Sequence, residues 1–113
     1  MTLQEIIQYQ KSFDSLHSSA FDWDTEITDE NIEILEFLLL SITGELGEMA
    51  NIVKKIRRGD FLLSQKKEEL SEEMADIFIY LIKMSYQLNI NIEEAYFKKM
   101  HKNFERFSHY GKD

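Results

Sequence analysis

No proline interrupts this chain, and only four of its 113 residues are glycine. Proline and glycine are the two residues that cost a helix interior most. Long helices are therefore permitted almost everywhere, and few turn formers remain from which to build a sheet. The chain has no cysteine, which excludes disulfides, zinc–thiolate sites and cysteine nucleophiles. The composition predicts an all-α protein, residues 1–113 forming one domain with a modest core that a second copy would enlarge.

Local signals divide the chain into four helices. Thr2 and Glu5 read as a capping box opening a helix over roughly 3–18. Residues 19–28 break the periodicity and form a connection that carries Phe21 and the single tryptophan, Trp23. Such aromatics either fold back onto the core or offer a stacking surface to a planar ligand, and the sequence leaves the two equal. Thr28 followed by Asp29 and Glu30 predicts a helix start, and Arg57-Arg58-Gly59 predicts its end, so the second helix spans roughly 29–58. Ser64 is the expected cap of a third helix over roughly 65–88. Asn91 and Glu94 suggest a second capping box, opening a fourth helix at roughly 92–107.

The second and third helices look apolar almost all round. Leu35, Leu38, Leu39, Ile42, Leu46, Met49, Val53 and Ile56 make one stripe, with Ile32, Ile34, Phe37 and Leu40 outside it. A helix of that kind is buried on more than one side. In a short chain this predicts a four-helix bundle completed by dimerisation, as a homodimer or a dimer of dimers.

Two acidic pairs sit within these apolar segments, Glu45/Glu48 and Glu73/Asp76. Residues three apart share a helix face, so each pair aims two carboxylates one way. Gly44 and Gly47 beside the first pair cost helix stability, which predicts a close approach by another backbone or a ligand. Four converging carboxylates would repel one another unless a cation sat between them. An all-oxygen donor set suits Mg²⁺, with Mn²⁺ an alternative. Acids make up 21 of 113 residues, however, so acid-x-x-acid also arises readily by chance. Periodicity alone leaves a metal site and an acidic interface evenly matched.

Other chemistries lack their motifs. No Glu-x-x-His occurs, so a di-iron bundle is not supported, and His17, His101 and His109 read as surface or interface residues. There is no glycine-rich phosphate loop. A formal charge of −8 argues against binding nucleic acid. No apolar run reaches the roughly 20 residues of a membrane span, and the N-terminus lacks a signal-peptide pattern. The expected setting is the cytoplasm, with no membrane partner.

The segments LLLSITGELGEMANIVKK and EELSEEMADIFIYLIKM, with KKMHKNFERF further on, resemble the MazG-like all-α nucleoside triphosphate pyrophosphohydrolases, in particular the dCTP-pyrophosphatase branch. The resemblance covers roughly 37–107. It implies that Glu45, Glu48, Glu73 and Asp76 hold Mg²⁺, and that a nucleoside triphosphate is cleaved to the monophosphate and pyrophosphate. In that reading Glu48, ahead of Glu45, is the base that activates water. Lys54, Lys55, Lys99 and Arg106 are candidates to meet phosphates, Tyr80 and Asn103 sugar or phosphate, and Phe21 and Trp23 the base. For Lys54 and Lys55 the favoured alternative is a solvated helix end, where cations suit the macrodipole. Many members carry Glu-Glu where this chain has Gly44-Glu45, which leaves the number of metal ions open. Two rivals stand beside this reading: a non-enzymatic helical interaction module with acidic faces, and a related hydrolase acting on dUTP or a phosphoribosyl-linked nucleotide.

Overall fold

The computed structural model describes residues 1–19 and 24–107. Phe21 and Trp23 lie outside the described residues. The described residues form four helices, α1 (Leu3–Leu16), α2 (Glu33–Arg58), α3 (Leu63–Gln87) and α4 (Ile92–Phe107), with a single 3₁₀ turn, Asp29–Asn31, ahead of α2. The all-α expectation holds.

The helix ends show which local signals prevailed. Thr2 Oγ1 accepts from the Glu5 amide at 3.1 Å while Glu5 Oε1 accepts from the Thr2 amide at 2.7 Å, closing the expected box. Thr28 caps the 3₁₀ turn rather than α2. Asn31 Oδ1 accepts from its amide at 2.6 Å, and Asn31 Nδ2 donates to the Glu26 carbonyl at 2.9 Å. These bonds hold the turn tight, so α2 proper starts at Glu33, four residues later than the predicted 29. Ser64 is not the cap of α3. Leu62 occupies that position in extended conformation, and Gln65 Oε1 accepts from its amide at 2.8 Å, so α3 starts at Leu63. A glutamine three residues in can satisfy an end amide whatever residue stands at the cap. Gly59 ends α2 as expected, at φ 97°, where an L-residue is strained, with its amide on the Ile56 carbonyl at 3.0 Å. Asn91 Oδ1 accepts from the Glu94 amide at 3.0 Å and opens α4.

With only residues 59–62 between them, α2 and α3 run antiparallel and share the main packing interface, and α1 lies against α3. The core centres on Ile27, Ile34 and Leu38, with Leu35, Tyr80, Met84 and Leu88 packed around it. Residues 25–27 are tied across the end of α3. The Ile27 amide donates to the Gln87 carbonyl at 2.8 Å, and Gln87 Nε2 donates to the Thr25 carbonyl at 2.9 Å.

The apolar stripe of α2 divides in two. Leu38 and Ile42 are buried against α3, while Leu39, Leu46 and Val53, with Ile32 just ahead of the helix, remain 47–53% exposed. These four recur every seven residues, the spacing of a helix–helix seam. Met74, Phe78 and Leu81 of α3 and Tyr96, Phe97 and Phe104 of α4 are exposed as well. The expectation that α2 and α3 are buried almost all round is therefore not met within one chain. Nor does α4 share an extended contact with α2 or α3. The radius of gyration is 17.6 Å, against about 13 Å for a compact domain of this length. The accessible surface is 8602 Å², against about 6,500 Å² for a compact monomer of this mass.

Candidate metal centre

The acidic pairs face each other across the α2–α3 interface because they share the face that buries Ile34 and Leu38. Ile34, Ser41, Glu45, Glu48 and Ile52 follow one another at helical spacing on α2, as Glu73, Asp76 and Tyr80 do on α3. One carboxylate oxygen each from Glu45, Glu73 and Asp76 lies within 4.8 Å of the other two. Opposite ligand oxygens around Mg²⁺ stand roughly 4.2 Å apart, twice the ~2.1 Å bond. Oxygens no more than 4.8 Å apart share a point within about 2.8 Å of all three, somewhat longer than that bond. Glu48 is outside this triad and sits beside Glu73, within hydrogen-bond reach.

The electrostatics follow from the crowding. Glu45 takes up its proton more readily than an ordinary glutamate, first because it hydrogen-bonds Asp76, then through desolvation and the charges of Glu48 and Asp76. Glu73 is pushed up to about 7, first by a hydrogen bond with Glu48, then by desolvation and the charges of Glu45, Glu48 and Asp76. Its Oε2 is sealed from solvent and has no hydrogen-bond partner. A buried carboxylate oxygen without a donor is costly. A hard cation would satisfy it and offset the mutual repulsion, so these residues fit Mg²⁺ or Mn²⁺. Alongside lies a groove of about 310 Å³ lined by Glu48, Asn51, Glu69, Glu72 and Glu73. Sequence reasoning did not single out Asn51, Glu69 or Glu72; their only signal was continuation of the same two faces one turn onward.

The remaining predicted site residues are dispersed. Tyr80 is half-buried one turn beyond Asp76 and packs against the core. Lys55 is half-buried in the last turn of α2, and its carbonyl accepts from the Asp60 amide at 3.0 Å. Lys99, Asn103 and Arg106 follow one another along α4. Asn103 Nδ2 meets Met100 Sδ at 3.9 Å, and the Arg106 guanidinium lies 4.6 Å from the Phe107 ring centroid. Because α4 stands apart from α2 and α3, this chain does not itself bring those three residues to the carboxylates. Among the described residues nothing lies within 4 Å of where a Cβ at Gly44 or Gly47 would stand, so the chain itself does not supply the close approach expected there.

Comparison with known proteins places these residues in a family context. Residues 34–110 match the MazG nucleotide pyrophosphohydrolase domain. The chain is 32% identical over 88 residues to the Gene 37 protein of Mycobacterium phage L5, covering 76% of this chain and 72% of that one. It is 28% identical over 110 residues to dCTP pyrophosphatase 1 of Rattus norvegicus and 26% identical over 110 to that of Mus musculus. In both cases 94% of this chain aligns, yet it spans only 59% of the pyrophosphatase. No solved structure matches the chain. Among the described residues, no helix is long and apolar enough to cross a membrane.

Proposed function

Because the chain belongs to the MazG nucleotide pyrophosphohydrolase family, we propose that it hydrolyses a nucleoside triphosphate, foremost a dNTP, to the monophosphate and pyrophosphate. We assign Glu45, Glu48, Glu73 and Asp76 to hold Mg²⁺. The observation that carries this reading is the convergence of Glu45, Glu73 and Asp76, with the orphaned Oε2 of Glu73 among them. Its place is a house-cleaning one, removing non-standard or excess dNTPs. The names of the rodent relatives make dCTP the first substrate to try.

A triphosphate is polyanionic and the cluster is acidic, so the two repel without a cation. Glu45, Glu73 and Asp76 would hold Mg²⁺, whose charge would let the triphosphate approach the cluster and would make its phosphorus more electrophilic. Glu48, the assigned ligand that stands outside the triad of closest oxygens, is also the carboxylate that takes a proton from the attacking water. Tyr80, next along α3, borders the nucleoside. Lys99, Asn103 and Arg106 supply positive charge and hydrogen-bond donors for the phosphates.

Those three are on a helix that does not reach the cluster within one chain, which supports a homodimer or a dimer of dimers. The heptad seam Ile32, Leu39, Leu46 and Val53 provides the apolar surface for it, and the open form of the single chain provides the need. The test is pyrophosphate release from a dNTP panel with Mg²⁺. Activity in Glu48→Gln and Asp76→Asn equal to that of the unaltered protein refutes the site. An acidic interaction surface without catalysis would instead respond to ionic strength and show no specific stabilisation by Mg²⁺.

A further inference from the structure

A second cluster of charged and polar side chains lies further along α3, where α1 packs. Asp14 of α1 is completely buried. Its Oδ1 accepts from Gln10 Nε2 at 3.0 Å and lies 3.3 Å from Lys83 Nζ, and its Oδ2 accepts from the Tyr86 hydroxyl. Lys83 is itself only 8% exposed. Burying a charged pair is expensive, and an apolar pair of similar volume would bind α1 to α3 at least as well. Fastening alone does not account for the choice of residues.

The geometry gives the pair a second connection. Lys83 Nζ also lies 5.7 Å from the Tyr80 ring centroid, within cation–π range. Tyr80 packs on its other contacts against the Ile27, Ile34 and Leu38 core. Its ring is therefore held between the core and an ammonium that Asp14 fixes in place. The Tyr80 hydroxyl makes no hydrogen bond among the described residues. Tyr80 is also the first large side chain beyond Asp76 on the acidic face of α3.

We propose that Asp14 and Lys83 are positioning residues for the nucleotide: Asp14 anchors Lys83, Lys83 sets the ring of Tyr80, and Tyr80 forms the wall of the nucleoside site next to the carboxylates. The inference rests on the pyrophosphohydrolase reading above and deepens it. It separates two tasks by element. Packing of α2 on α3 sets the carboxylates, and α1 sets the nucleoside wall through Lys83. Disturbing the pair weakens nucleotide affinity and leaves metal affinity and turnover in place.

Removing one partner would unbalance a buried ion pair and risk unfolding, so the test replaces both, in Asp14→Asn/Lys83→Met. Three quantities are measured on the intact chain: the Mg²⁺-induced rise in Tm, and kcat and KM for the best dNTP of the panel. The expected result is a KM raised about tenfold, a kcat within about twofold, and an unchanged Mg²⁺ effect. In a Tyr80→Leu background the same pair of changes should move KM by less than about twofold, because the wall it acts through is gone. Lys83→Arg, which keeps the cation, should restore KM to within about threefold in an otherwise unaltered chain. An unchanged KM in the double variant, or a tenfold rise that persists without Tyr80, overturns the inference and leaves the enzyme reading standing. No hydrolysis by the unaltered protein of any dNTP overturns both.

Discussion

In the proposed metal site, the proton that Glu73 retains up to about pH 7 would make Mg²⁺ binding steeply dependent on pH. Glu73 holds its proton up to about pH 7 because Glu48, Glu45 and Asp76 crowd it, whereas an unfolded chain releases it near the ordinary glutamate value. Between those two points the folded apo protein binds more protons than the unfolded one. Apo stability is therefore full below about pH 4.5 and is lost as pH rises through about 7, then levels off. Metal binding runs the other way, since a cation must displace the proton. At pH 6 about one molecule in eleven has this carboxylate free, and at pH 8 about ten in eleven. The Mg²⁺ concentration at the midpoint of thermal stabilisation should accordingly fall about tenfold from pH 6 to pH 8. Glu45 is raised as well, so tenfold is a lower bound. The assay is a thermal-shift titration with MgCl₂ at constant ionic strength. Glu73→Gln supplies the control: it flattens the apo pH profile, raises apo Tm at pH 8 by relieving repulsion, and abolishes the Mg²⁺ effect. A midpoint that moves less than about twofold, or a Mg²⁺ effect that survives in Glu73→Gln, would refute the reasoning.

Three further outcomes follow from named residues. Glu48→Gln should lower kcat by about 10²–10⁴-fold while keeping a measurable Mg²⁺ rise in Tm, because three oxygens of the cluster remain. Steady-state kinetics beside thermal shift separates the two effects. Leu46→Glu, in the middle of the exposed heptad seam, should convert an oligomer to a monomer at micromolar concentration in sedimentation equilibrium; a monomeric unaltered chain would contradict the proposed assembly. Gly59→Ala places a Cβ at φ 97° and should cost about 1–2 kcal/mol, seen as a fall in Tm of several degrees without loss of the Mg²⁺ effect.

Which features could be read from residue order alone depended on whether the cause was local. The box at Thr2 and Glu5 and the glycine stop at Gly59 involve neighbours in the chain, and both stand as expected. The start of α2 was missed by four residues because Asn31 turns back to both Thr28 and Glu26, a competition invisible to a rule that asks only about Thr28. The start of α3 was misplaced because Gln65 supplies the end acceptor from inside the helix, so Leu62 can hold a position usually given to serine. The acidic pairs were legible as a pattern, since spacing fixes which carboxylates share a face. Their pairing across helices, Glu45 with Asp76 and Glu48 with Glu73, needed the relative heights of α2 and α3, which the short connection sets and no periodicity reports.

The same distinction explains the apolar stripe of α2. Counting by threes and fours merged two sets of residues into one broad face. Leu38 and Ile42 are buried against α3, whereas Leu39, Leu46 and Val53 stay about half exposed. The acids fall on the side of the first set, so the centre is assembled by contacts that one chain supplies. The basic and amide groups of α4 make no extended contact with α2 or α3, so in the proposed site a second copy brings them to the acids. Metal binding should therefore be a property of the α2–α3 pair and persist in a dissociated chain. Hydrolysis should depend on association. A Leu46→Glu monomer that binds Mg²⁺ normally and releases no pyrophosphate is the result this division requires. Full turnover by that monomer would mean that α4 of the same chain folds back onto the carboxylates during the reaction.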